Sequence, residues 1–143
     1  MVHRLLLYLS ANSARTRIDH ELAELRTRVA PHPPARTLEL VARAAESAGW
    51  QVTTVDSGRH ELHAVVSTPL LGFRDDVRVT LSAKGTDASL VQVEAQSRVG
   101  RADFGANIAH VVELYRRLEG MIELEVAEPD GQPDSQRVRR RAE

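Results

Sequence analysis

Asp76-Val77-Arg78-Val79-Thr80-Leu81 alternates polar and apolar residues with a period of two. Lys84-Gly85-Thr86-Asp87 follows with turn chemistry, and Val91-Gln92-Val93-Glu94-Ala95-Gln96 resumes the alternation. Two such runs joined by a short turn must be antiparallel neighbours, each with one apolar face. Val77, Val79 and Leu81 then share a side with Val91, Val93 and Ala95, which restricts the register to slips of two residues. In any such register Asp76 and Arg98 fall on the opposite, polar face, directly across or diagonal, and a long arginine side chain spans either offset. The reading therefore pairs Arg98 with Asp76.

Working upstream, Leu62, Ala64 and Val66 alternate with Glu61, His63 and Val65, and Trp50, Val52 and Thr54 alternate with Gln51, Thr53 and Val55. Asp56-Ser57-Gly58 supplies the turn between these two strands. Before them, Leu38, Val41, Ala42, Ala45 and Ala48 form one helical stripe that Gly49 closes. Downstream, Ile108, Val111, Val112, Tyr115 and Leu118 form a second stripe closed by Gly120, and Met121 to Val126 reads as a short extra strand or a frayed end. The pattern is helix, four antiparallel strands, helix. A two-layer α+β domain with both helices on one sheet face buries every apolar stripe. The expected core is Leu38, Val41, Trp50, Val52, Leu62, Ala64, Val79, Leu81, Val91, Val93, Ile108, Val111, Val112 and Tyr115. The other sheet face carries Gln51, Thr53, His63, Val65, Arg78, Thr80, Gln92 and Glu94, and its makeup suits cover by Leu5–Leu9 or by a second copy of the chain.

The domain occupies residues 35–120 in this reading. Residues 1–34 form an N-terminal segment, with a short helix expected over Ile18–Val29 from the spacing of Ile18, Leu22, Leu25 and Val29. Residues 121–143 end in a tail with almost no apolar residues, which cannot offset its ordering entropy. The 143 residues include 19 Lys and Arg against 20 Asp and Glu, a net charge of -1, which argues against nucleic-acid binding by bulk charge. The absence of cysteine excludes disulfides and thiolate metal sites. No run supplies the roughly 18 apolar residues of a membrane span. The cluster Leu5–Leu9 is shorter than the ~7–15 residues of a signal-peptide core, so the reading is cytoplasmic.

No catalytic constellation stands out. His60 and His63, read on one strand at odd spacing, point to opposite faces, as do the adjacent Asp75 and Asp76. No nucleophile elbow, phosphate loop or convergent ligand set occurs, so no catalytic residue, metal or cofactor is assigned. Arg98 to Asn107 is the strongest candidate segment. Arg98, Arg101 and Asn107 are candidate contacts to an anion or partner beside a helix N-terminus. Asp103 is a good helix cap, and Asp76, Arg98 and Asp103 together form an expected structural ion pair and cap.

Two stretches, Phe73-Arg74-Asp75-Asp76-Val77-Arg78-Val79 and Ser97-Arg98-Val99-Gly100-Arg101-Ala102-Asp103-Phe104-Gly105-Ala106-Asn107, together with Gly49-Trp50, resemble the bacterial and plastid family of unknown function numbered 1499. The resemblance covers about Pro33 to Leu118, with Ala102 where the family pattern has serine. Many members carry a cysteine-containing N-terminal segment after a signal or anchor; this chain has no cysteine, so their localisation does not carry over. The resemblance implies a fold unit and no reaction. The function expected is a non-catalytic binding or assembly module whose partner is an unknown protein, the chain itself or a small anion. The alternatives are an enzyme using the Arg/Asp motifs and a lipid- or small-anion-binding domain.

Overall fold

The computed structural model describes residues 13–67, 72–98 and 104–127. Along the chain run β1 (Ser13–Arg15), a 3-10 turn (Ala23–Leu25), β2 (Arg28–Ala30), α1 (Pro34–Ser47), β3 (Gln51–Asp56), β4 (Glu61–Ser67), β5 (Arg74–Lys84), β6 (Ala88–Ser97) and α2 (Phe104–Ala127). The six strands make one antiparallel sheet in the order β1-β6-β5-β4-β3, with β2 also on β6. Both helices pack on one face, as the alternation requires. The β5–β6 register runs from Asp75 opposite Ser97 to Lys84 opposite Ala88. Gly85 closes that turn at φ 68°, a left-handed conformation that glycine adopts without a Cβ penalty.

Local chemistry sets the helix ends. Pro34 opens α1 at a position whose missing N–H costs no hydrogen bond. At the other end the Gly49 N–H donates to Glu46 O (2.9 Å) and the Trp50 N–H to Ala45 O (3.0 Å). This paired closure needs the left-handed Gly49, φ 80°. It delivers Trp50 straight into the start of β3.

The N-terminal segment departs from expectation. Ile18–Val29 is not a helix: Ile18 and Val29 are 71% and 52% exposed, and only Leu22 and Leu25 are buried. The outer edge of β6 offers a long row of N–H and C=O groups that need partners. β1 and β2 supply them in succession, at Gln96 to Glu94 and at Val91 to Ser89. Between the two strands Thr16 takes over. Its N–H donates to Val93 O (2.8 Å) and its hydroxyl oxygen accepts from the Val93 N–H (2.7 Å). Tyr115 fastens this edge from α2: its hydroxyl donates to Arg26 O at 3.1 Å and the Arg28 guanidinium lies 5.2 Å from its ring centre. Burial pushes the Tyr115 phenol up to about 12. Residues Leu5–Leu9 and the tail from 128 lie outside the described residues.

Three further expectations are corrected. Met121–Val126 is neither strand nor frayed end but the last turns of α2, which runs through Gly120. Tertiary contacts override the glycine: Met121 and Ile122 pack on the core, and Glu125 meets His32 and Arg36. Val112 is 41% exposed, whereas Leu114 is fully buried. The helical face centred on Val111, Leu114 and Leu118 meets the sheet, and Val112 lies a third of a turn away from it. In β3 the register slips between Val52 and Thr54, so Thr54 pairs with His63 and Val55 with Leu62. This bulge puts Thr54 on the polar face and Val55 on the helix side, reversing the simple alternation. Val52, on this edge strand, is only partly buried.

The interior is filled by Leu62, Val79, Val91, Val93, Val41, Val111 and Leu114, each at most 1% exposed. Leu114→Ala is expected to cost about 2–5 kcal/mol and Val112→Ala less than about 1 kcal/mol in urea denaturation. Equal losses would refute this helix orientation. A Cβ at Gly120 meets nothing within 4 Å. Gly120→Ala is therefore expected to raise stability by about 0.5–1 kcal/mol, measured the same way.

Candidate functional site

Those of the motif residues quoted above that lie among the described residues gather at one end of the β5–β6 pair, divided between the two faces of the sheet. Adjacent residues on β5 point in opposite directions. Asp75 turns inward with a side chain 2% exposed, and its Oδ2 lies 2.6 Å from Nε2 of His110 on α2. Trp50 meets the same imidazole edge-on, ring centres 6.0 Å apart. Across the ladder from Asp75 sits Ser97, whose hydroxyl oxygen accepts from the Asn107 amide at 3.1 Å. A carboxylate in this position fixes the orientation of an imidazole. It also ties α2 to β5 in a largely dry setting.

Sequence reasoning missed this pair. His110 and Asp75 are 35 positions apart, and only the packing of α2 on the sheet brings them together. The available signal was the set of motif residues facing inward: Trp50, Asp75 and Ser97 all sit on the helix side at the same end. Asn107, a candidate anion or partner contact by sequence, is fully buried in this cluster.

Asp76 turns outward. It stands opposite Gln96, and the Arg98 N–H donates to Arg74 O, so Arg98 reaches Asp76 diagonally. The contact is bidentate: Nε to Oδ2 at 2.8 Å and Nη2 to Oδ1 at 2.7 Å. The Arg98 guanidinium holds the Asp76 carboxyl below its ordinary range, and Asp76 in turn raises Arg98. Two residues along, the polarity reverses. Arg78 stands opposite Glu94 and donates to it at 2.7 Å, with Arg15 of β1 on the far side of Glu94 at 3.9 Å. His63 and Glu61 pair at 2.6 Å on β4. His60 is not on that strand but in the preceding turn, at φ 53°. A groove of about 510 Å³ on this face is lined by Thr53, His63, Asp76, Arg78, Gln96 and Arg98 among others. Val65 lies at its floor, 9% exposed and outside the helix-side core. Arg101 and Asp103 lie outside the described residues. Among the described residues no three His, Asp or Glu side chains gather as metal ligands, and no helix is long and apolar enough to cross a membrane.

The two faces have different energetic weights. Asp75 is buried, so truncating it removes a charge-assisted bond that water cannot replace. Asp75→Ala is expected to lose on the order of 3 kcal/mol by denaturant titration. Arg98→Ala opens a pair whose side chains are 43% and 53% exposed, and its effect is expected to be much smaller. Asp76 is lowered by Arg98, so the pair stabilises the fold above the ordinary carboxylate pKa and loses that contribution as pH falls through the lowered value. Wild type and Arg98→Ala should therefore converge in stability in acid. A loss from Arg98→Ala as large as that from Asp75→Ala would contradict this division.

The sequence matches the family described as "Protein of unknown function (DUF1499)" over residues 8–118. No curated protein matches it. Among solved structures it is similar to the crystal structure of Ara h 8.0201, at 11% identity and TM-score 0.47, over 77% of this chain and 96% of that one. It is also similar to the crystal structure of TTHA0849 from Thermus thermophilus, at 12% identity and TM-score 0.43, over 78% of this chain and 97% of that one. The family match begins ahead of β1, takes in both edge strands that the motif resemblance left out, and ends well into α2; the chain belongs to DUF1499, a family of proteins of unknown function.

Proposed function

We propose that the protein is a non-catalytic binding or assembly module whose working surface is the outer face of the sheet. The observation that carries this reading is the ordered ion-pair array of β1, β4, β5 and β6 around an open groove of about 510 Å³. Both helices lie on the other face, and among the described residues no element covers this one. A solvated sheet face needs polar residues but no fixed pairing between them. Here both groove arginines hold carboxylates, which favours a partner of mixed charge over a lone small anion. The filled interior supports the module over a lipid-handling domain, because its space is taken by Leu62, Val79, Val93, Val111 and Leu114.

A second reading, an enzyme built on the Arg/Asp motifs, is favoured by one observation, the inward Asp75–His110 pair beside Trp50. Its chemistry would centre on His110 rather than on the exposed arginines, with Asp75 as the orienting group.

Gln96 lines the groove of the outer face, and Glu119 is exposed on α2. A photo-reactive amino acid placed at Gln96 in cells is expected to yield a discrete protein adduct, and the same probe at Glu119 is not. Adducts at Glu119 alone, or at neither position, would overturn the module reading.

A further inference from the structure

We propose that the partner on the outer face presents an extended acidic segment that lies across the strands; the inference rests on the module reading above and names the chemistry of its partner. Three neighbouring rows of outward side chains point to it. One row is His63, Arg78, Glu94 and Arg15, set side by side by the registers of β4, β5, β6 and β1. The next is Val65, Asp76 and Gln96. The third holds Arg74, opposite Ser67, with Arg98 beside it through the bond from the Arg98 N–H to Arg74 O (3.1 Å). Among the described residues these rows carry four guanidiniums, Arg15, Arg74, Arg78 and Arg98, against the two carboxylates Asp76 and Glu94, in a chain whose net charge is -1. The surplus lies with two of the arginines. Arg74 is exposed and meets no carboxylate among the described residues. Arg15 is 71% exposed and stands 3.9 Å from a Glu94 that Arg78 already holds.

The middle row floors the groove of about 510 Å³, with His63 and Arg78 on one side of it and Arg98 on the other. Arg74 neighbours Arg98 and Arg15 neighbours Glu94, so each extends one side. Arg74 and Arg78 are four residues apart on β5, about 13 Å along the strand. An extended peptide directed across the strands fits between them, because its successive side chains point to opposite sides and reach both rows of arginine. It also matches both signs of charge in the groove. Its carboxylates accept from the guanidiniums; each guanidinium has five N–H donors, and Arg78 and Arg98 give one and two of theirs to the carboxylates they hold. Its backbone N–H groups donate to Asp76 and Glu94, whose oxygens accept more than one bond each. A phosphate polymer or an anionic membrane brings acceptors alone and sets them against those two carboxylates. Complementarity of this kind selects and steers a partner more than it adds affinity, so the segment by itself is expected to bind weakly and with strong salt dependence.

The experiment is fluorescence anisotropy at about 20 mM salt with a labelled, end-blocked octapeptide of alternating Glu and Ser, and its Lys and Ser counterpart as control. Wild type is expected to bind the acidic peptide, less tightly as salt is raised, and not the basic one. Arg15→Glu with Arg74→Glu is expected to weaken binding about tenfold or more. The same change of charge on the helix side, Arg43→Glu with Arg116→Glu, is expected to leave it unchanged. All four positions are exposed, and circular dichroism checks that the variants fold. If the first variant does not fold, the amide shifts of wild type on adding the acidic peptide give the readout. They are expected at His63, Arg78 and Gln96, and shifts on α1 and α2 instead would overturn the proposal. No binding at about 1 mM peptide, equal binding of the basic peptide, binding that survives Arg15→Glu with Arg74→Glu, or displacement by an equal concentration of inorganic tripolyphosphate would each overturn it as well. These outcomes leave the module reading standing, because the Gln96 and Glu119 adducts decide that reading independently.

Discussion

The ladder between β5 and β6 fixes which face of the sheet each candidate-site side chain on those two strands occupies. Its register sets Val77 against Ala95 and Val79 against Val93 on the helix side, and Asp76 against Gln96 and Arg78 against Glu94 on the other. A slip of one residue would exchange the two faces and bury four charged or amide side chains, at a cost no surface pairing could offset. The apolar side is thus locked by the core, and the polar side inherits its order from that lock. β4 and the paired edge strands β1 and β2 read their own facing from the same ladder.

The adjacent carboxylates show how one strand serves two purposes. Asp75 points into the core side and meets His110 on α2, where low water access strengthens the bond and makes its loss expensive. Asp76, the next residue, points to solvent and holds Arg98 in an exposed bidentate pair whose stabilising value is small. The exposure of both partners leaves water able to replace the contact. The same reasoning applies to Arg78 and Glu94, which repeat the pairing with reversed polarity one level away.

The parts of this fold that were legible in the sequence are those where local pattern and tertiary demand agree. β4, β5, β6 and α1 alternate or repeat cleanly, and alternation alone places Asp76 and Arg98 together on the polar face, directly across or diagonal. Where the two disagree, packing wins. Leu22 and Leu25 have helical spacing, but the open edge of β6 draws the flanking residues into strands. Gly120 reads as a stop, but Glu125 and the core contacts of Met121 and Ile122 carry α2 past it. The choice between Val112 and Leu114 depends on which way α2 is rolled against the sheet, and neighbouring apolar residues leave that angle open. The Asp75–His110 pair was invisible for a related reason: it exists only after a helix docks across a strand that no local rule connects to it.

The central proposal is that the outer face of the sheet, and not a helix face, is the working surface of this protein. The most direct measurement is a ¹⁵N amide chemical-shift map of the labelled protein with and without unlabelled extract of its source cells. The expected result is shifts or broadening at His63, Arg78, Glu94 and Gln96, with the exposed residues of α1 and α2 unchanged. Changes clustered on α1 and α2, or none at all, would contradict the account.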